Sequence, residues 1–188
     1  MISDRFGTTP GDRAEHRPRL AMKPDAARGG LLDGAWWPRS TDPAAEFPAL
    51  VAALGGGGPI RRVSYHLGTW ERAERGLDVG GAVVRTEGFH TTQPDTVTLI
   101  RADYTRVRLL VVPPGTTDDV AHAVLRATAT SGPTATVEEI MAGNGLVAGQ
   151  NPVYRTEVPR TPKFDAGPDE RWDAEGGAAR RRAVLGTG

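Results

Sequence analysis

The chain has no cysteine among its 188 residues. That excludes disulfides, thiolate metal sites and a cysteine nucleophile, and it fits a reducing compartment. It has little aromatic content, with four Trp, three Tyr and four Phe. It has no excess of charge of either sign, since 23 Lys and Arg balance 23 Asp and Glu. A nucleic-acid binder is expected to carry a basic balance, so nothing global points to one. No apolar run approaches the roughly 18–20 residues that a membrane helix needs. The N-terminal stretch MISDRFGTTPGDRAEHRPRL has no apolar core of the kind a secretory signal carries, so a cytoplasmic protein is expected.

Glycine and proline are abundant instead. The 24 Gly and 15 Pro make about a fifth of the chain, and hydrophobic residues only 38%. This predicts one compact domain with soft ends: an arm over 1–17, a domain over 18–142, and a low-complexity tail over 143–188.

Within the domain the patterning is legible. Leu20 and Met22 alternate with Arg19, Ala21 and Lys23, which predicts a strand stopped by Pro24. Asp42 and Pro43 suit the cap and first position of a helix, with Phe47, Leu50, Val51 and Leu54 as its stripe. GGGG at 55–58 ends it. Strands are expected at Ile60–Leu67, at Leu77–Thr86 with a break at Gly80-Gly81, at Thr96–Arg101 and at Thr105–Val112. Trp70 with ERAER reads as a single helical turn, Thr117–Thr128 as a helix, and Thr136–Met141 as a weaker one. Strands outnumber helices and most links are too short for helical crossovers. The expected class is α+β: a mainly antiparallel sheet or partly closed small barrel, with two or three packed helices and unstructured tails.

Several segments in this order resemble a family of uncharacterised actinobacterial proteins, the family of unknown function DUF5994. They are RLAMKP, LDGAWWPRS, the Asp42–Leu54 helix, IRRVSYH followed by Trp70, VGGAVVR, Gly88-Phe89, TVTL and RLLVVPP. The resemblance covers about residues 17–129. It implies domain limits and an actinobacterial origin, and no activity, substrate or catalytic residue. The hairpin before RLLVVPP departs from the family's usual Asp-Gly turn, reading Asp103-Tyr104.

The motif LDGAWWPRS invites a functional reading. In an extended segment Trp36 and Trp37 point to opposite faces, so one indole is expected in the core and the other on a groove where it could stack on a ligand. Asp33, Arg39 and Ser40 flank them; a turn at Asp33 and a surface ion pair are the plainer roles. Ser64 and His66 share a strand face and, with Asp33, imitate a Ser-His-Asp set. Ser64 nevertheless lies in mid-strand without a nucleophile elbow, and a polar sheet face explains the pair better. The histidines lack metal-ligand spacing, and neither glycine cluster sits in a phosphate-loop context. No catalytic residue, cofactor or metal is expected. Arg62, Arg101, Arg106 and Arg108 fall on strands, and if gathered on one face would make a basic surface for nucleic acid, provided acids do not interleave. The expectation is a small, non-catalytic domain that binds a protein or small molecule through Asp33, Trp36, Trp37, Arg39, Ser64 and His66, possible regulation included. An enzyme built on Asp33, Ser64 and His66 and a nucleic-acid accessory protein are the alternatives.

Overall fold

A computed structural model describes residues 17–25 and 28–149; the expected N-terminal arm and most of the expected tail lie outside these. Seven strands form one open mixed sheet: β1 (Arg19–Met22), β2 (Gly34–Trp37), β3 (Ile60–His66), β4 (Gly76–Val79), β5 (Ala82–Phe89), β6 (Thr96–Arg101) and β7 (Arg106–Val111). Their spatial order is β1-β2-β7-β6-β3-β5-β4. Four neighbouring pairs are antiparallel, and β2–β7 and β3–β5 are parallel. Three α-helices accompany them: α1 (Pro43–Leu54), α2 (Asp118–Thr130) and α3 (Val137–Gly143). The class is α+β, and the sheet does not close into a barrel.

Local chemistry sets the element ends. Asp42 caps α1, its Oδ1 accepting the Ala44 N–H at 2.8 Å. The glycines after Leu54 continue as a short 3-10 turn and leave it at Gly58, whose φ of 117° is a glycine conformation. Gly80 and Gly81, at φ 63° and 84°, make the two-residue turn of the β4–β5 hairpin. Tyr104 takes φ 68° in the β6–β7 turn, a left-handed conformation uncommon for a residue with a side chain. Thr136 and Glu139 form a reciprocal capping box at the start of α3. ERAER is not helical: after Trp70 the chain runs irregularly to β4.

The two sheet faces are unequally covered. On the first face α1 packs Phe47, Leu50, Val51 and Leu54 against Trp36, Val63, Val97, Leu99, Val107 and Leu109, with Trp70 closing the cluster. On the second, α2 and α3 pack Val124, Ile140 and Met141 against Ala35, Trp37, Leu110 and Val112. Leu146 and Ala148 join this cluster, so packed chain continues past the boundary expected at 142. The second core lies at the β1-β2-β7 end. Toward β5 the second face carries polar residues apart from Ile100, in the cross-strand rows Arg108–Thr98–Ser64–Glu87 and Arg106–Ile100–Arg62–Arg85.

Candidate ligand pocket beside the tryptophan motif

The motif itself is core. Trp36 is 0% exposed and Trp37 3% exposed. The expected alternation holds, but both faces of β2 are covered, so each indole enters a different hydrophobic cluster. Trp36 stacks on Trp70, with centroids 5.3 Å apart. Trp37 meets His122 edge-on and lies under the Arg19 guanidinium, 3.3 Å from its ring. That guanidinium also donates to the Trp37 and Pro38 carbonyls. Burial, then the neighbouring Arg39, lower the Arg19 pKa from its ordinary value. The expected outward indole is therefore corrected: neither tryptophan offers a stacking surface.

Asp33 and its proposed companions are also engaged separately. Asp33 is buried; its Oδ2 accepts the Arg108 N–H at 2.8 Å and its Oδ1 the Gly29 N–H at 3.1 Å. It makes no ion pair with Arg39, which donates instead to the Arg17 carbonyl. Ser40 and the Arg39 backbone are held by Glu46. His66 Nδ1 accepts the Gly68 N–H and its Nε2 faces the His90 carbonyl, both at 3.0 Å. Across the sheet Asp33 pairs with Arg108, Arg108 with Thr98, and Thr98 with Ser64. Three strand spacings, about 14 Å, therefore separate Asp33 from Ser64. The Asp33, Ser64, His66 constellation does not converge.

The arginine set is divided too. Arg62, Arg106 and Arg108 share the second face, but Arg62 pairs with Glu87 at 3.0 Å. Arg101 points to the other face, where it donates to the Leu54 carbonyl at the C-terminus of α1. A carboxylate thus interrupts the row, and one of the four arginines is spent on a helix end.

What the fold does create beside the motif is a pocket of about 390 Å³ where α3 meets the open part of the second face. Its floor is Thr96, Thr98 and Arg108, and its walls come from Leu31, Leu32, Thr92, Gln93, Thr136, Val137 and Glu138. Its size is that of a small-molecule site, and its lining sets three apolar side chains, Leu31, Leu32 and Val137, among seven polar ones. Arg108 is placed by Asp33 through its backbone and donates to the Leu31 carbonyl through its side chain. Opposite it, Glu138 is held below the usual carboxylate range by its own backbone N–H, with help from the Gln93 amide. Thr92 Oγ1 is buried and has no hydrogen-bond partner among the described residues. Nearby Asp95 is buried, and burial raises its pKa even though the Gly149 N–H donates to it. Among the described residues no three His, Asp or Glu side chains form a metal-binding group.

Arg108 was the one pocket residue legible as a candidate. The others are threonines, leucines, Gln93, Val137 and Glu138, which lie within 31–32, 92–98 and 136–138, and no spacing in the sequence joins them.

Comparison with known proteins gives one family. The model of a family of unknown function, DUF5994, matches residues 19–128. No curated protein matches the chain, and no solved structure does.

Proposed function

Since the chain belongs to the DUF5994 family, whose function is unknown, we propose from geometry that it is a non-catalytic binding domain whose small-molecule ligand sits in the pocket between α3 and the Arg108–Thr98 stretch of the sheet. The ligand carries an acidic group that pairs with Arg108 and polar atoms that meet the threonine hydroxyls. The observation that carries this reading is Arg108, an exposed guanidinium without a salt bridge among the described residues, on the floor of a pocket of ligand size. A carboxylate or phosphate of the ligand would meet it in a charge-assisted hydrogen bond. The proposed site is not the one expected from the sequence: Leu31 and Leu32 wall it, and threonines and Arg108 stand in place of the indoles.

An enzymatic reading on Asp33, Ser64 and His66 has less support, because hydrogen bonds tie Asp33 and His66 to separate backbone segments and Ser64 lies three strand positions from Asp33. A cytoplasmic location belongs to the same proposal. The cysteine-free sequence favours it, and no described helix is long and apolar enough to cross a membrane.

The test is thermal unfolding of the full chain against a panel of small carboxylates and phosphate esters, repeated with Arg108→Ala and Thr98→Val. A hit is expected to raise the melting temperature of the parent protein and to lose that effect in both variants. A panel that stabilises nothing, or a hit equally effective on the variants, overturns the reading.

A further inference from the structure

A second, larger concavity lies at the opposite end of the sheet, and it is independent of the pocket above. It is an open groove of about 1270 Å³ between the outer edge of β5 and residues 67–76. Its origin is a ladder that stops early. The Leu67 N–H donates to the Phe89 carbonyl, so the backbone of Phe89 faces β3. By strand alternation the backbone of Gly88 faces the other way, as does that of Thr86, whose N–H donates to the Arg75 carbonyl. β4 pairs with β5 only over Ala82–Arg85, and beyond Thr86 the preceding chain leaves the edge. The N–H and C=O of Gly88 consequently have no backbone partner among the described residues, and they face the groove.

The side chains around this bare edge have one dominant sign. Arg61, Arg72, Arg75 and Arg85 line the groove, and among the described residues none of the four makes a salt bridge. The acids present are Glu74 and Glu87, and Glu87 is already committed to Arg62. A local positive excess in a chain of zero net charge is a feature of this groove, not of the composition. The groove also holds two of the large apolar side chains left exposed, Val83 at 73% and Phe89 at 41%. Arginine mixed with exposed aromatic and aliphatic surface is the make-up of a protein interface.

We propose that this groove receives an acidic segment of a partner protein in extended conformation, which adds to the outer edge of β5 at Gly88. Main-chain hydrogen bonds to Gly88 supply the pairing, in the manner of strand addition to an open sheet edge. Glutamate or aspartate side chains of the segment meet the four arginines, and its apolar side chains cover Phe89 and Val83. The absence of a side chain at Gly88 is structural as well: a Cβ there would lie 2.3 Å from Leu67 Cδ2. Arginines can also guard an edge against aggregation, and that role is separable by experiment.

The probe is a capped ten-residue peptide alternating Glu and Val, titrated into the full chain by calorimetry and amide NMR. Binding is expected to shift the Gly88 amide resonance and slow its hydrogen exchange, and to weaken as salt is raised. The double variant Arg61→Glu, Arg85→Glu, both residues being exposed, is expected to keep its circular dichroism spectrum and to lose at least tenfold in affinity. Methylating one central amide nitrogen of the peptide is expected to weaken it similarly. The proposal is overturned if the peptide does not bind, if the charge-reversed variant or the methylated peptide binds as well as the parent, or if a single-stranded DNA 20-mer binds more tightly than the peptide.

Discussion

Trp36 and Trp70 lie face to face, their ring planes 13° apart and centroids 5.3 Å apart. Phe47 of α1 touches both, at 6.1 Å and 4.9 Å. Three segments distant in sequence are thereby joined: β2, α1 and the chain leaving β3. Trp36→Ala removes the shared partner and leaves a cavity that rigid neighbours cannot fill, so it is expected to lower stability by about 3–5 kcal/mol. Trp36→Phe keeps much of the volume and is expected to cost less. Urea unfolding of both variants measures this, and a Trp36→Ala loss under about 1 kcal/mol would mean that the stack is not a core anchor.

Asp33 ties β2 to β7 with two carboxylate acceptors, one for Arg108 N–H and one for Gly29 N–H. In Asp33→Ala both donors lose this acceptor; Gly29 is exposed and can turn to water, so the expected loss, about 1–3 kcal/mol, falls mainly on the Arg108 N–H. Asp33→Asn offers one acceptor and turns an NH2 group toward the other donor, so it is expected to restore only part of the difference. Equilibrium unfolding ranks the three proteins; equal stability of Asp33→Asn and the parent contradicts the two-acceptor arrangement.

The capping box of α3 is a smaller effect of the same kind. Thr136 Oγ1 accepts the Glu139 N–H at 3.2 Å and Glu139 Oε2 accepts the Thr136 N–H at 3.0 Å. Thr136→Ala is expected to lose about 1 kcal/mol. Because Thr136, Val137 and Glu138 wall the pocket, the same variant is expected to weaken any ligand that stabilises the parent. Thermal unfolding with and without that ligand separates the two effects.

These three sites show what the sequence could disclose. Alternation and turn residues mark a strand wherever one face is wet, which is why β3, β6, β7 and the glycine hairpin were legible to within a residue or two. β2 is different. Its neighbours lie far along the chain, and α2 covers the face that alternation alone leaves open, so the pattern that put one indole inside could not reveal that both are buried. Ser64 and His66 share a strand face as read, but the Gly68 and His90 backbone groups that engage His66 belong to turns whose shape is not encoded in strand periodicity. The β5 edge groove was hidden for a related reason: ERAER has helical composition, yet Thr86 donates to both the Arg75 and the Glu74 carbonyls and holds the end of that segment alongside the strand.

Asp95 supplies a pH-dependent prediction. It is buried beside β6 and β7, its backbone carbonyl accepting the Val111 N–H at 2.8 Å. Burial raises its carboxyl pKa above the ordinary 3.8, Glu138 adds to the rise, and the Gly149 N–H and His66 oppose it. A carboxyl with a higher pKa folded than unfolded binds more protons in the native state between those two values. Its contribution to stability is therefore full below the unfolded value and is lost as pH rises through the folded one. Asp95→Asn removes the titration while its side-chain carbonyl can still accept from Gly149. Relative to the parent, the variant is expected to gain stability as pH is raised from about 4, with the difference levelling once Asp95 is ionised in both states. Urea unfolding across this range decides it: a flat difference would show that the hydrogen bond from Gly149 balances burial at this carboxyl, and one in which the variant gains as pH falls would show that it outweighs burial.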